Sequence, residues 1–202
     1  MNKYIEEMRR ALVEFYNTQK RINAERSDAM KKYNQEFQGD VLSRLMDEAG
    51  SAYDKARCRI ERAKADALAS IEAWEKLDGS KLTDDAKLLK YDLPSSQFYE
   101  LAKKYKNNGT MCLALAQYAE KKNREKESPE HFGWIDTSLI PTRKSLEEAY
   151  QYFYDNAITK LESLYDGNQT PFIAFEMMEN GTKNFGAESP ANIQYFNVLP
   201  NA

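Results

Sequence analysis

The sequence predicts an all-α protein: a long antiparallel, coiled-coil-like helical hairpin, then a compact bundle of shorter helices and an irregular C-terminal segment. Three observations predict it. Between Met1 and Asp78 there is no proline, and Gly39 and Gly50 are the only glycines, so little interrupts a helix there. Apolar residues in that stretch recur at alternating spacings of three and four, the period of a helix seam. Beyond Gly79 the apolar stripes become short and are separated by Gly, Pro and Asn.

The first seam runs through Ile5, Met8, Leu12, Phe15, Gln19, Ile22, Arg26, Ala29 and Tyr33. A second, in another frame, runs through Leu42, Met46, Ala49, Tyr53, Ala56, Ile60, Ala63, Ala67, Ile71 and Trp74. The frame changes near Gln38-Gly39-Asp40, where a C-cap glycine precedes an N-cap aspartate. A turn there makes two helices of about 36 residues, roughly 54 Å each. Alanines in the second seam facing bulky residues in the first suit close antiparallel packing. The competing arrangement is one unbroken helix of about 75 residues that dimerises along its length.

Residues 79–166 form the expected helical body. Thr83-Asp84-Asp85 opens a brief helix through Lys90, and Pro94 begins another with Phe98, Leu101, Ala102 and Tyr105 inward. Asn107-Asn108-Gly109 ends that helix, and Thr110 opens a third whose Met111, Leu113, Ala114, Leu115 and Tyr118 look core-facing. Residues 128–141 read as a loop anchored by Phe132, Trp134, Ile135 and Ile140. Residues 142–165 are a helix with Leu146, Tyr150, Phe153, Ala157, Leu161 and Leu164 on one stripe and Gly167 past its end. Residues 167–202 hold six asparagines and three prolines, yet remain rich in Phe, Tyr and Met. Such a segment is expected to dock, either on its own domain or on a partner or neighbouring copy.

Composition bounds the function. The 202 residues are 42% apolar, 30% charged and 12% aromatic, with 29 basic and 32 acidic side chains. The net charge of −3 is segregated: residues 1–78 carry 0, 79–129 carry +3 and 130–202 carry −6. Only the basic runs around Lys103 to Lys106 and Lys121 to Arg124 suit nucleic acid, and the apolar opening of the helix at Thr110 argues against a recognition helix. No apolar run matches a membrane span and the N-terminus lacks the core of a signal peptide, so a cytoplasmic location is expected.

No chemistry-bearing constellation emerges. His131 stands alone, Cys58 and Cys112 lack partners at metal-ligand spacing, and no phosphate-cradling or zinc-hydrolase motif occurs. The acid pairs Glu6-Glu7, Asp84-Asp85 and Glu147-Glu148 lie in or near first helical turns, where carboxylates complement the helix dipole. The expectation is a non-enzyme with no cofactor, metal or small-molecule ligand. Its contacts would be with a protein partner or with itself, and Leu12, Ile22, Phe172, Phe175, Tyr195 and Phe196 are the candidate interaction residues.

From Trp74 to Ala119 the wording Trp-Glu-x-Leu-Asp-Gly-Ser-x-Leu-Thr-Asp-Asp-Ala-Lys-Leu-Leu, then Lys-Tyr-Lys-Asn-Asn-Gly-Thr-Met and Leu-Ala-Gln-Tyr-Ala, resembles small helical proteins encoded near head and tail genes in prophages of Gram-positive bacteria. The resemblance covers under a quarter of the chain and carries no catalytic motif. It implies a phage structural, assembly or host-interaction protein. An alternative is a phage-encoded inhibitor of a host or defence enzyme, whose acidic final third occupies a basic channel.

Overall fold

A computed structural model describes residues 3–33, 35–126 and 133–167. Every regular element among them is helical: α1 (Lys3–Lys32), α2 (Gln35–Glu75), α3 (Ser95–Tyr105), α4 (Gly109–Arg124) and α5 (Arg143–Tyr165), with short 3-10 turns at Gly79–Lys81, Asp84–Lys90 and Thr137–Leu139. The chain divides into two units, one of residues 3–67 with 150–167 and the other of 68–149.

In the first unit α1 and α2 form the antiparallel hairpin. Glu7 meets Arg59 at 2.6 Å, Phe15 meets Tyr53 edge-on at 6.1 Å, Arg21 meets Glu48, and Glu25 meets Arg44 at 3.6 Å. One index rises as the other falls, so the helices run in opposite directions. Along α1 the seam residues Ile5, Met8, Leu12, Phe15 and Ile22 are buried, as are Ala56, Ile60, Ala63 and Ala67 of α2. Tyr150, Phe153, Ala157, Leu161 and Leu164 of α5 close the same core. The third helix is fixed along its length. Tyr4 packs edge-on against Tyr150 at 6.1 Å, Lys64 donates to Gln151 Oε1 at 2.6 Å, and the Tyr53 and Tyr165 rings lie 4.6 Å apart.

The hairpin turn lies earlier than the Gly-Asp step indicated. α1 ends at Lys32 and α2 is already helical at Gln35, which makes helices of 30 and 41 residues and places Gly39 and Asp40 inside α2. Gln38 takes another role. Its amide donates to the carbonyls of Tyr33 (2.8 Å) and Met30 (3.2 Å), satisfying carbonyls that a helix terminus otherwise leaves open. A second correction concerns the start of the α2 seam, where Leu45 is the buried residue and Met46 is exposed.

In the second unit the end of α2 places Ile71 and Trp74 in a core with Phe98, Leu101, Met111, Leu115, Tyr118, Ile135, Ile140 and Leu146. Asn108, not Thr110, caps α4: its Oδ1 accepts from Met111 N at 3.2 Å while its Nδ2 donates to Lys81 O at 2.7 Å. Thr110 instead accepts from Asp78 N at 3.1 Å. A side chain at Gly109 would meet the Trp74 carbonyl, so this close approach needs glycine. Asn123 clamps the loop before α5, donating to Ile135 O and accepting from Ile135 N, both at 2.8 Å. Leu113, expected in the core, is 42% exposed, because α4 turns Met111, Cys112 and Leu115 inward. The expected anchor Phe132 and His131 lie outside the described residues.

Candidate interaction surface

Each acid pair that might have carried proton chemistry is engaged by cations. Glu6 bonds Arg9 at 2.8 Å and Arg10 at 3.3 Å, and Arg9 is the main cause of its lowered pKa. Glu7 is held by Arg59. Asp84 pairs with Lys87 at 2.6 Å, and Asp85 accepts from Lys104 Nζ and Tyr105 Oη, both at 2.7 Å. Those bonds, Lys104 first, hold the Asp85 carboxyl below its ordinary pKa. Glu147 and Glu148 meet Arg143 and Lys144. These groups fasten helices to one another and to themselves.

The basic runs are similarly occupied in part, with Lys104 on Asp85, Lys122 on Asp92 and Glu125, and Arg124 on Glu120. Cys112 is buried, and burial pushes its thiol up to about 12, so it stays protonated at neutral pH. Cys58 is exposed and also lacks a disulfide partner. Among the described residues no group of acids, His and Cys could hold a metal ion, and no helix is long and apolar enough to cross a membrane.

The exposed apolar surface is more informative. Among the described residues from 30 to 44 none is buried, so the turn end of the hairpin extends past its own core. Apolar side chains nevertheless sit there: Met30, Tyr33 and Phe37 are 55%, 50% and 60% exposed. Scattered exposed apolar residues are ordinary on a protein surface. Three large ones beside a single turn, where the core has ended, form a cluster of the kind that marks contact sites.

Next to this tip a cleft of about 970 Å³ opens within the first unit. Ile22 of α1, Leu42, Leu45 and Met46 of α2, and Tyr165 and Gly167 at the end of α5 line it. Met46 is 73% exposed there. On the rim Asp47, Asp54 and Asp166 outnumber Arg26. A smaller groove of about 330 Å³ between α1 and α2 is bridged by Arg21–Glu48 and Arg59–Glu14, ion pairs that belong to the hairpin itself.

The sequence-predicted interaction residues separate accordingly. Leu12 is fully buried between the helices of its own chain, and Ile22 is buried beneath the cleft. Phe172, Phe175, Tyr195 and Phe196 lie outside the described residues. Pattern reasoning passed over Met30 and Phe37, which belong to neither seam, and absorbed Tyr33 and Met46 into the seams. Their signal was available: Met30, Tyr33 and Phe37 interrupt a strongly polar stretch from Arg26 to Asp40. No protein-family model, curated protein or solved structure matches the chain.

Proposed function

We propose that the chain is a non-enzymatic interaction protein that engages a protein partner through its hairpin tip, as a structural or assembly component of phage origin. The observation that carries this reading is the apolar cluster Met30, Tyr33 and Phe37, each at least half exposed beside the hairpin turn. Fully burying an exposed side chain of this kind contributes about 1.5–3 kcal/mol, so the half-exposed trio can supply the apolar anchor of an interface whose remaining contacts offset the cost of association. The resemblance of residues 74–119 to prophage proteins encoded near head and tail genes supports the phage setting.

The test compares the wild-type chain with a variant carrying Met30→Ser, Tyr33→Ser and Phe37→Ser. Because these side chains lie outside the core, the variant should retain its helical circular dichroism and melting temperature. Wild-type protein should co-purify a defined protein from phage-infected cells, or self-associate in light scattering, and the variant should do neither. Equal behaviour of both chains sinks the tip reading.

A further inference from the structure

Along the hairpin, α5 stops short of the turn. Tyr4 faces Tyr150, and Tyr53 lies between Phe15 and Tyr165, so α5 runs parallel to α1 and ends level with Phe15 and Tyr53. Past that point no described helix covers the groove between α1 and α2, and the cleft of about 970 Å³ occupies it. Its walls are helical stripes: Gln19, Ile22 and Arg26 on α1, and Leu42, Met46 and Ala49 on α2. From Gln19 to Arg26 is two helical turns, roughly 10 Å. We propose that the cleft receives a short amphipathic helix of a partner protein, apolar on the face toward Met46 and basic along its flanks.

Three observations specify that chemistry. Asp47, Asp54 and Asp166 stand exposed on the rim, form no ion pair with a described residue and outnumber Arg26. The acids of the neighbouring groove differ, since Glu48 and Glu14 are already held by Arg21 and Arg59. Asp166 also follows the C-terminus of α5, whose last turn has no basic side chain, so the helix dipole adds to the negative potential there. Such a rim attracts a basic helix and repels an acidic peptide or a nucleic acid. The second observation is Gln19, a polar residue in the apolar seam of α1. It is only 7% exposed, faces the cleft, and its amide makes no hydrogen bond with a described residue. A buried amide left this way is costly, and a polar side chain on the docked helix supplies the partner. Third, Met46 lies 73% exposed against a floor of buried Ile22 and Leu45, which suits the apolar anchors of a helix lying in a groove. Met30, Tyr33 and Phe37 are not part of the cleft lining, so this contact and the tip contact stand or fall separately.

The probe that tests this is a fluorescent synthetic helix with Leu at i, i+3, i+4 and i+7 and Lys on both flanks, titrated into the full-length chain at low salt. A control peptide carries Glu in place of every Lys. In methyl NMR of protein with isotope-labelled methionine, the Lys peptide should move the Met46 signal and leave Met30 unmoved, and the Glu peptide should move neither. Asp47→Asn, Asp54→Asn and Asp166→Asn together remove three exposed, unpaired charges without touching the core, and should weaken binding about tenfold. Met46→Ser should also weaken it about tenfold, at high salt as at low. The proposal is overturned if Met30 moves instead of Met46, if both peptides bind alike, if the triple Asn variant binds as wild type does, or if nothing binds. Light scattering in which the free chain dimerises and Met46→Ser dissolves the dimer would assign the cleft to a second copy, and overturns it too.

Discussion

At the scale of single residues, several side chains hold one contact that sequence pattern does not reveal. Asp85 was legible as an acid in a first turn, but its binding to Lys104 and Tyr105 on α3 depends on how separate elements meet. The consequence is a pH dependence with a definite sign. A carboxyl whose folded pKa is depressed contributes stability above its unfolded value, and the contribution disappears as pH falls through the folded value. Asp85→Asn should therefore lower the melting temperature at pH 7, and the gap from wild type should begin to narrow as the buffer falls below about pH 3.8. A constant gap from pH 7 to pH 3 would show that the charge on Asp85 is immaterial. Leu113 shows the limit of residue-level reading from the other side: leucine is equally at home on either face of α4, and only packing selects Met111, Cys112 and Leu115 for burial.

At the scale of elements, α5 was the most legible: its stripe from Leu146 to Leu164 is buried, and Gly167 follows with positive φ. A regular repeat closed by a C-terminal glycine leaves few alternatives. The hairpin itself followed from its seams, whereas its turn did not. Gly39-Asp40 reads as punctuation, yet a glycine inside an exposed helix costs only about 1 kcal/mol, which the register of the paired helices outweighs. Substitution distinguishes the two positions. Nothing lies within 4 Å of a Cβ built at Gly39. Gly39→Ala should then raise stability by about 0.5–1 kcal/mol in urea denaturation, whereas at a left-handed turn it would lower it. Gly109→Ala should be destabilising by about 1–3 kcal/mol, because its methyl group runs into the Trp74 backbone. If both glycines respond alike, the local packing described for one of them is wrong.

At the scale of the whole molecule, the seams and the surface have different tasks. Leu12 looked like a residue for meeting a partner because a coiled-coil seam reads identically within and between chains. Here it is fully buried inside the first unit. Leu12→Lys places a charge in that core and should unfold the unit outright, without first passing through a folded, dissociated form in analytical ultracentrifugation. Dissociation with helicity intact would mean that the seam joins chains. The candidate interaction surface was less legible than the fold because exposed and buried apolar residues share one alphabet. Where the core stops along a hairpin depends on the third helix, which arrives from more than a hundred residues away in sequence.

The central claim is that the apolar tip meets a protein, and a photocrosslinking scan tests it most directly. A benzophenone amino acid replaces Phe37 at the tip, or Glu61 on the exposed side of α2, and phage-infected cells producing either chain are irradiated. The tip position should yield one discrete adduct that Met30→Ser and Tyr33→Ser abolish, and position 61 should yield none. The same adducts from both positions, or no adduct from position 37, would contradict the claim.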